Sequence, residues 1–378
     1  MYNTIIIGAG PSGLMASTVL NDCLILEKND SAGKKLLLTG NGRCNITNKK
    51  SNSDFLNNIS HNKKYLYSTI NTFGPKEIYD FFVSNKVYLK EELDNKVFPV
   101  SDRAEDILNC LLNNSKAKIN YNEEVEEIIK NDKITVITNK NKYECNNLII
   151  ASGGVSFPFT GSNGSHLKFA KMIEQPVTKL CAAESSLITN DHLIAGTTAF
   201  VNIKYNKLKS SGMMIFTHKG ISGEVVMNIS EHVLDNSAIL IDFIPTMSVE
   251  ELIQMINIAD GSMEINTFFK RYLQKRLVGY ILNEYKGCTI KSLSSKTIIK
   301  IINLFKNHEM FILRKEAIEK AYVTKGGIDL NYINTKTFES KKNKNIYFIG
   351  EALDIHGPIG GYNLTLALST GYSVGVSI

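Results

Sequence analysis

Tryptophan is absent from the 378 residues, and so is any arrangement of cysteines able to staple a fold. The six cysteines (Cys23, Cys44, Cys110, Cys145, Cys181, Cys288) form no C-x-x-C pair and no metal-type spacing with histidine. A disulfide framework and a metal site are therefore not expected, and most of these thiols are expected as small buried apolar groups. No apolar stretch approaches the roughly 18 residues that span a bilayer, and no basic segment followed by a signal-type apolar run opens the chain. The expected location is the cytoplasm. Composition is otherwise ordinary for a globular protein, 43% hydrophobic, at a length that suits two or three domains.

What is present begins at the first residues. A short apolar strand (Thr4, Ile5, Ile6, Ile7) runs into Gly8-Ala9-Gly10-Pro11-Ser12-Gly13. This is G-x-G-x-x-G directly after a strand. Gly8 suits the tight turn, Gly10 a close approach of pyrophosphate, and Gly13 the packing of the next helix on the strand. The N–H groups that open such a helix form an anion site. A second strand (Leu24, Ile25, Leu26) ends at Glu27, roughly 20 residues on, where a carboxylate accepts hydrogen bonds from an adenosine ribose. Spacing, strand context and acidic partner agree on a dinucleotide site. No second G-x-G-x-x-G follows a strand, so a separate nicotinamide domain is not expected.

Net charge is +6 and unevenly placed. Nine basic residues between Asn266 and Lys306 (Lys270, Arg271, Lys275, Arg276, Lys286, Lys291, Lys296, Lys300, Lys306) face one acid, Glu284. Such a local excess is either the footprint of a nucleic-acid partner or a solvated helical surface.

The segment Gly33-Lys34-Lys35-Leu36-Leu37-Leu38-Thr39-Gly40-Asn41-Gly42-Arg43-Cys44-Asn45-Ile46-Thr47-Asn48 reads as too polar and glycine-rich for core packing, with Arg43 and Asn45 as polar contacts to a ligand. Together with the C-terminal Gly350-Glu351-Ala352-Leu353-Asp354-Ile355-His356-Gly357-Pro358-Ile359-Gly360-Gly361-Tyr362-Asn363-Leu364, it closely resembles the BaiN/RdsA-type FAD flavoproteins, described as bile-acid dehydro-reductases and ribosomal RNA dihydrouridine synthases. The resemblance covers most of the chain and is weakest in the middle. It implies a Rossmann-like FAD-binding domain of the glutathione-reductase/succinate-dehydrogenase type, with an inserted β-rich domain and a small helical domain. The expected boundaries are 1–181 with 325–378 for the FAD-binding domain, 182–246 with 309–324 for the β-rich insertion, and 247–308 for the basic helical domain.

Within this frame residues 49–120 read as a mainly helical excursion. Pro75 opens a helix through Phe82, and Ser101 is expected to cap Ala104 to Leu112. Strands are expected around Ile119 to Val125, Ile134 to Thr138 and Leu148 to Ile150. Alternation in Phe200 to Tyr205, Met213 to Phe216 and Ile239 to Phe243 marks the β-rich part. Ser248 and Glu251 form a capping-box pattern, and helices are expected at Thr267 to Tyr285 and Lys296 to Lys306. Three strings depart from the family pattern: Phe159 stands in place of a basic residue, Ser165 in place of an acid, and Glu224 in place of a proline.

The resemblance implies cofactor contacts at Gly8, Gly10, Pro11, Ser12, Gly13, Glu27 and Lys28, then at Lys35, Thr39, Gly42, Arg43, Cys44 and Asn45. It extends them to Val125 through its backbone, to Ala151, Gly153 and Gly154, and to Gly350, Glu351, Asp354, Gly361, Tyr362, Asn363 and Leu364. The helix after Gly361 would stabilise negative charge on a reduced ring. The implied reaction is reduction of an electron-poor C=C bond, with hydride from the flavin to one carbon and a proton to its neighbour, NAD(P)H serving as a transient reductant. Cys44 is the first candidate acid, given a suitably set pKa, with His218 and Tyr362 behind it. Two substrates stay open. One is uridine in large-subunit ribosomal RNA, extruded from its stack and gripped by Lys270, Arg271, Lys275 and Arg276. The other is a small enone or amine. A redox carrier with no organic substrate is the third reading.

Overall fold

The computed structural model describes residues 1–190 and 194–378. The chain divides into two units, Met1–Cys181 with Ile318–Ile378, and Ala182–Ala317.

The first unit is built on a mixed sheet, parallel on one side and antiparallel on the other. Strands β1 (Tyr2–Ile7) and β2 (Cys23–Leu26) flank helix α1 (Pro11–Val19). Further along come β3 (Lys118–Asn120), β4 (Val125–Lys130), β5 (Ile134–Thr138), β6 (Lys142–Ile150) and β7 (Ile346–Phe348). The sheet order is β3-β2-β1-β6-β5-β4, with β7 also on β6. Strand β6 is long enough to do two things. Its first half pairs antiparallel with β5, and its second half pairs parallel with β1 and β7. Ile5, Ile6, Leu24, Ile25, Leu148, Ile149 and Ile150 are all buried, the continuous apolar run of strands covered on both faces. Expected strand Ile119 to Val125 is two strands, broken by a turn at 121–124.

The turn residues let the backbones touch. A Cβ on Gly8 (φ +107°) would lie 2.6 Å from the Ala151 carbonyl oxygen, and one on Gly13 would lie 2.2 Å from that of Gly8. The final helix α2 (Tyr362–Gly375) packs along α1 in the same way: a Cβ on Gly371 would meet the Ser12 carbonyl oxygen at 2.2 Å. Thus strand ends, α1 and α2 converge on one point.

The excursion at 49–120 carries the helix Pro75–Ser84 and the helix Ala104–Asn114. The latter is preceded by Arg103 without a side-chain cap, so Ser101 is not its N-cap. Asp102 (φ +56°) turns the chain there and gives its carboxylate to Arg43 and Lys90 instead.

In the second unit six strands close into a barrel, in the order 187–189, 220–222, 208–217, 198–205, 237–242, 308–315. Its core is continuous with the helices at 249–305, through Phe216, Phe243, Phe268, Phe269 and Phe305. The Ser248–Glu251 capping box forms, with hydrogen bonds of 3.1 Å and 2.6 Å. The helix expected over Thr267 to Tyr285 is interrupted, as Ile265–Phe269 and Lys275–Ile281. Gln274 between them is extended, and both pieces bury apolar pairs, Phe268/Phe269 and Leu277/Val278, in this core. Among the described residues, no helix is long and apolar enough to cross a membrane.

The contact at Gly371 makes a sign prediction. Gly→Ala within a helix ordinarily stabilises by about 1 kcal/mol. Here Gly371→Ala should instead destabilise by about 1–3 kcal/mol through overpacking against Ser12, read as a lower urea midpoint with an unchanged slope.

Candidate functional site

The carboxyl ends of β1, β2, β6 and β7 open onto one cleft in the first unit, where open α/β sheets bind ligands. Its walls are Ile7 to Ser12, Leu26 to Asn29, Lys35 and Thr39, Val125, Ala151 to Gly153, Gly350 and Glu351, and Asn363 and Leu364. Gly8, Gly10, Pro11, Ser12, Glu27, Lys28, Lys35, Thr39, Val125, Ala151, Gly153, Gly350, Glu351, Asn363 and Leu364 are thus brought together from the sequence-derived set. A Cβ built on Gly10 meets nothing within 4 Å. Where Gly8 and Gly13 are crowded by protein, Gly10 faces open space, the cradle a pyrophosphate needs. Pro11 occupies the first turn of α1, where its missing N–H costs nothing.

Glu27 is already oriented. Its Oε2 accepts from the N–H of Ala9 (2.8 Å) and its Oε1 from that of Asn29 (2.8 Å). A carboxylate has about four lone-pair sites, so capacity remains for ribose hydroxyls. Glu351 anchors the opposite wall. Lys35 Nζ lies 2.7 Å from Glu351 Oε2 and donates to Ser156 Oγ at 2.7 Å, while Ser156 Oγ and the Thr324 N–H donate to Glu351 Oε1. Burial raises the Glu351 pKa, but the Lys35 cation and these donors outweigh it and hold the carboxyl below its usual range.

The remaining residues of the set do not line the cleft. Gly13 and Gly154 pack against protein, the latter against Thr324. Arg43 is held by Glu92 and by Asp102 (2.7 Å) with its guanidinium over the Phe98 ring. Asn45 donates to the carbonyls of Thr47 and Val97, both at 3.0 Å, and Gly42 belongs to the same turn. This segment does pack: Leu36, Cys44, Ile46 and Thr47 are buried, because its apolar residues alternate with the polar ones that tie down its backbone. Cys44 is fully buried, and burial pushes its thiol up to about 12 against a small opposing effect of Thr39. The thiol therefore stays protonated.

Asp354 is turned to other partners, His61 Nε2 at 2.6 Å and the Gly326 N–H at 3.0 Å. Burial raises its pKa, and His61 more than offsets this. Tyr362 stacks on Phe55 at 4.6 Å with its hydroxyl 3.1 Å from Lys50 Nζ, and a Cβ on Gly361 would strike Thr47. His218 is exposed in the turn before 220–222 of the second unit. Lys270, Arg271, Lys275 and Arg276 are exposed on that unit as well.

Two features escaped the sequence reading. The Lys35–Ser156–Glu351 network is one. The other is His166, fully buried beside the lining residues Ser165 and Phe169, with the Gly153 backbone as its polar neighbour. Burial lowers its pKa to about 4, only partly countered by the charge of Glu351 and the Gly153 backbone.

Fold and cleft together define a Rossmann-type protein with an open cleft at the carboxyl ends of its strands. More specifically, the chain belongs to the HI0933-like Rossmann-domain family, whose model matches residues 2–377. It is 28% identical to a Haemophilus influenzae protein named ribosomal RNA dihydrouridine synthase, over 99% of this chain and 98% of the relative. It is 27% identical to the 3-dehydro-bile acid delta(4,6)-reductase of Clostridium scindens, over 98% and 97%. Among solved structures it is similar in fold to a 3-ketosteroid-delta4-(5alpha)-dehydrogenase of Rhodococcus jostii, at 12% identity and a TM-score of 0.54, covering 100% of this chain and 96% of that one. The expected family and fold class are thereby borne out.

His166 gives the site a pH signature. Its folded pKa lies below its unfolded value near 6.5, so the stability it contributes is complete above pH 6.5 and declines as pH falls toward 4. Between pH 6.5 and 5 the wild type should lose about 2 kcal/mol, and His166→Leu should show a flatter profile over that window. Parallel profiles in urea titrations would contradict the buried neutral imidazole.

Proposed function

We propose that the cleft holds FAD and that the enzyme reduces an electron-poor C=C bond, with uridine in large-subunit ribosomal RNA as the leading substrate. The observation that carries the cofactor assignment is the open space at Gly10, set at the N-terminus of α1 between the Glu27 carboxylate and the β6 end. Backbone N–H groups of the turn would hold the pyrophosphate. Glu27 would take the ribose hydroxyls and the Val125 backbone the adenine. Glu351, fixed by Lys35, would face the ribityl side, and the N-terminus of α2 at Tyr362–Asn363 would favour a reduced, negatively charged ring. FAD, when bound, supplies the hydride chemistry.

The substrate assignment rests on the relatives' names and on the basic excess of the second unit. NAD(P)H as transient reductant and the cytoplasm as location complete the reading. The 3-dehydro-bile acid reductase among the relatives supports a second one, a small enone bound in the same cleft, in which the basic surface has no substrate role.

The deciding experiment is mass spectrometry of RNase fragments of large-subunit ribosomal RNA from matched strains with and without the gene. We expect one dihydrouridine to disappear with the gene. It should return with the wild-type copy and stay absent with Gly10→Val, whose side chain fills the cradle. Unchanged dihydrouridine would reject the RNA substrate and direct the search to enones and amines.

A further inference from the structure

The second unit carries a surface whose composition is unusual for a solvated sheet face. From Ile194 to Gly223 the chain has no Asp or Glu, while it has Lys204, Lys207, Lys209 and Lys219. The strands Thr198–Tyr205 and Leu208–Thr217 pair antiparallel, and one face of the pair points out of the barrel. Across that face Thr198 opposes Ile215, Phe200 opposes Met213, Asn202 opposes Ser211, and Lys204 opposes Lys209. Phe200 and Met213 are each 52% exposed, and the inward neighbours Val201, Ile203, Met214 and Phe216 are buried. The exposed aromatic is thus not spare core.

Cations stand at both ends of this apolar pair. At one end Lys204 faces Lys209 directly, an arrangement that costs stability in a sheet, with Lys207 in the turn between them. Among the described residues none of these three lysines has a carboxylate partner. At the other end Gln274 Nε2 donates to Thr198 Oγ1 at 3.2 Å and Arg276 donates to the Ala195 carbonyl oxygen at 3.2 Å. These bonds fix the turn that bears Lys270, Arg271, Lys275 and Arg276 beside the start of the first strand. Of the neighbouring carboxylates, Asp242 opposite Asn202 is neutralised by Lys306 at 2.6 Å, and Glu309 lies two strands from Lys204, across Leu240.

Resting on the RNA reading above, we infer that this face binds a single-stranded RNA segment, with a base stacked on Phe200 against Met213 and phosphates on the lysines and arginines at either end. Stacking on an exposed aromatic between cations is how unpaired strands are held irrespective of sequence. A duplex hides its bases and offers nothing to Phe200. The strip runs about 20 Å, from Thr198 to Lys204 at about 3.3 Å per residue, enough for a short unpaired stretch. A bound polyanion would relieve the like-charged Lys204–Lys209 pair.

The test is fluorescence anisotropy of the purified full chain with a labelled single-stranded RNA of about a dozen nucleotides, and with the same sequence as a duplex, over a range of salt. Phe200→Ala should weaken single-strand binding about ten-fold with the salt slope unchanged. Lys204→Ala/Lys209→Ala should flatten that slope by about 1.4. Lys140→Ala/Lys142→Ala, an equal loss of charge at the exposed start of β6 in the first unit, should leave both unchanged. If the wild type binds RNA but the first two variants match it, or if duplex binds as tightly, this surface is wrong while the RNA reading stands. If the wild type neither binds RNA nor makes dihydrouridine, both fall.

Discussion

The contact on which the first unit depends is the stacking of bare backbone at Gly8, Gly13 and Ala151. With a Cβ at either glycine the helix α1 could not sit on the strand, and the strand could not lie against β6. Because these pieces touch without side chains between them, the amide end of α1 reaches the level of the strand termini, and everything else in the cleft is placed relative to it. Gly371 repeats the device against Ser12, which brings the last helix of the chain, and with it Asn363 and Leu364, to the same place.

Electrostatics then follow geometry. Glu27 is pinned by two backbone N–H groups and Glu351 by a lysine, a serine and a backbone N–H. Each carboxylate is held in a fixed direction before any ligand arrives, and Glu351 is also held in the charged form, which lowers the ordering cost of binding. The cleft thus presents the free backbone of a helix N-terminus at one point and oriented carboxylates at two others. A dinucleotide has that sequence of groups. The proton donor is a different matter. Burial pushes the Cys44 thiol up, which keeps it protonated, and Tyr362 is stacked on Phe55.

What could be read from the sequence was what is local. The turn Gly8 to Gly13, the strand before it, Glu27 at the end of the next strand, and the Ser248–Glu251 capping box are short-range patterns with one physical meaning each. Misreadings came where the partner is distant. Lys35 and Glu351 are 316 positions apart, and nothing near either announces the other. Arg43 and Asn45 look like ligand contacts by composition, yet Arg43 is satisfied by Glu92 and Asp102, 49 and 59 residues away. The break between Phe269 and Lys275 has no glycine or proline to signal it, since core packing on both sides sets it. His166 carried no motif at all, and only its complete burial marks it.

The central claim is that the cleft is an FAD site, and the direct test is the identity and amount of cofactor carried by the purified chain. Heat-released supernatant should show a flavin spectrum, with mass spectrometry giving FAD at one equivalent per chain, and Gly10→Val protein of unchanged fold should yield little. Release of a nicotinamide dinucleotide instead, or a wild type that neither carries FAD nor takes it up on titration, would contradict the account.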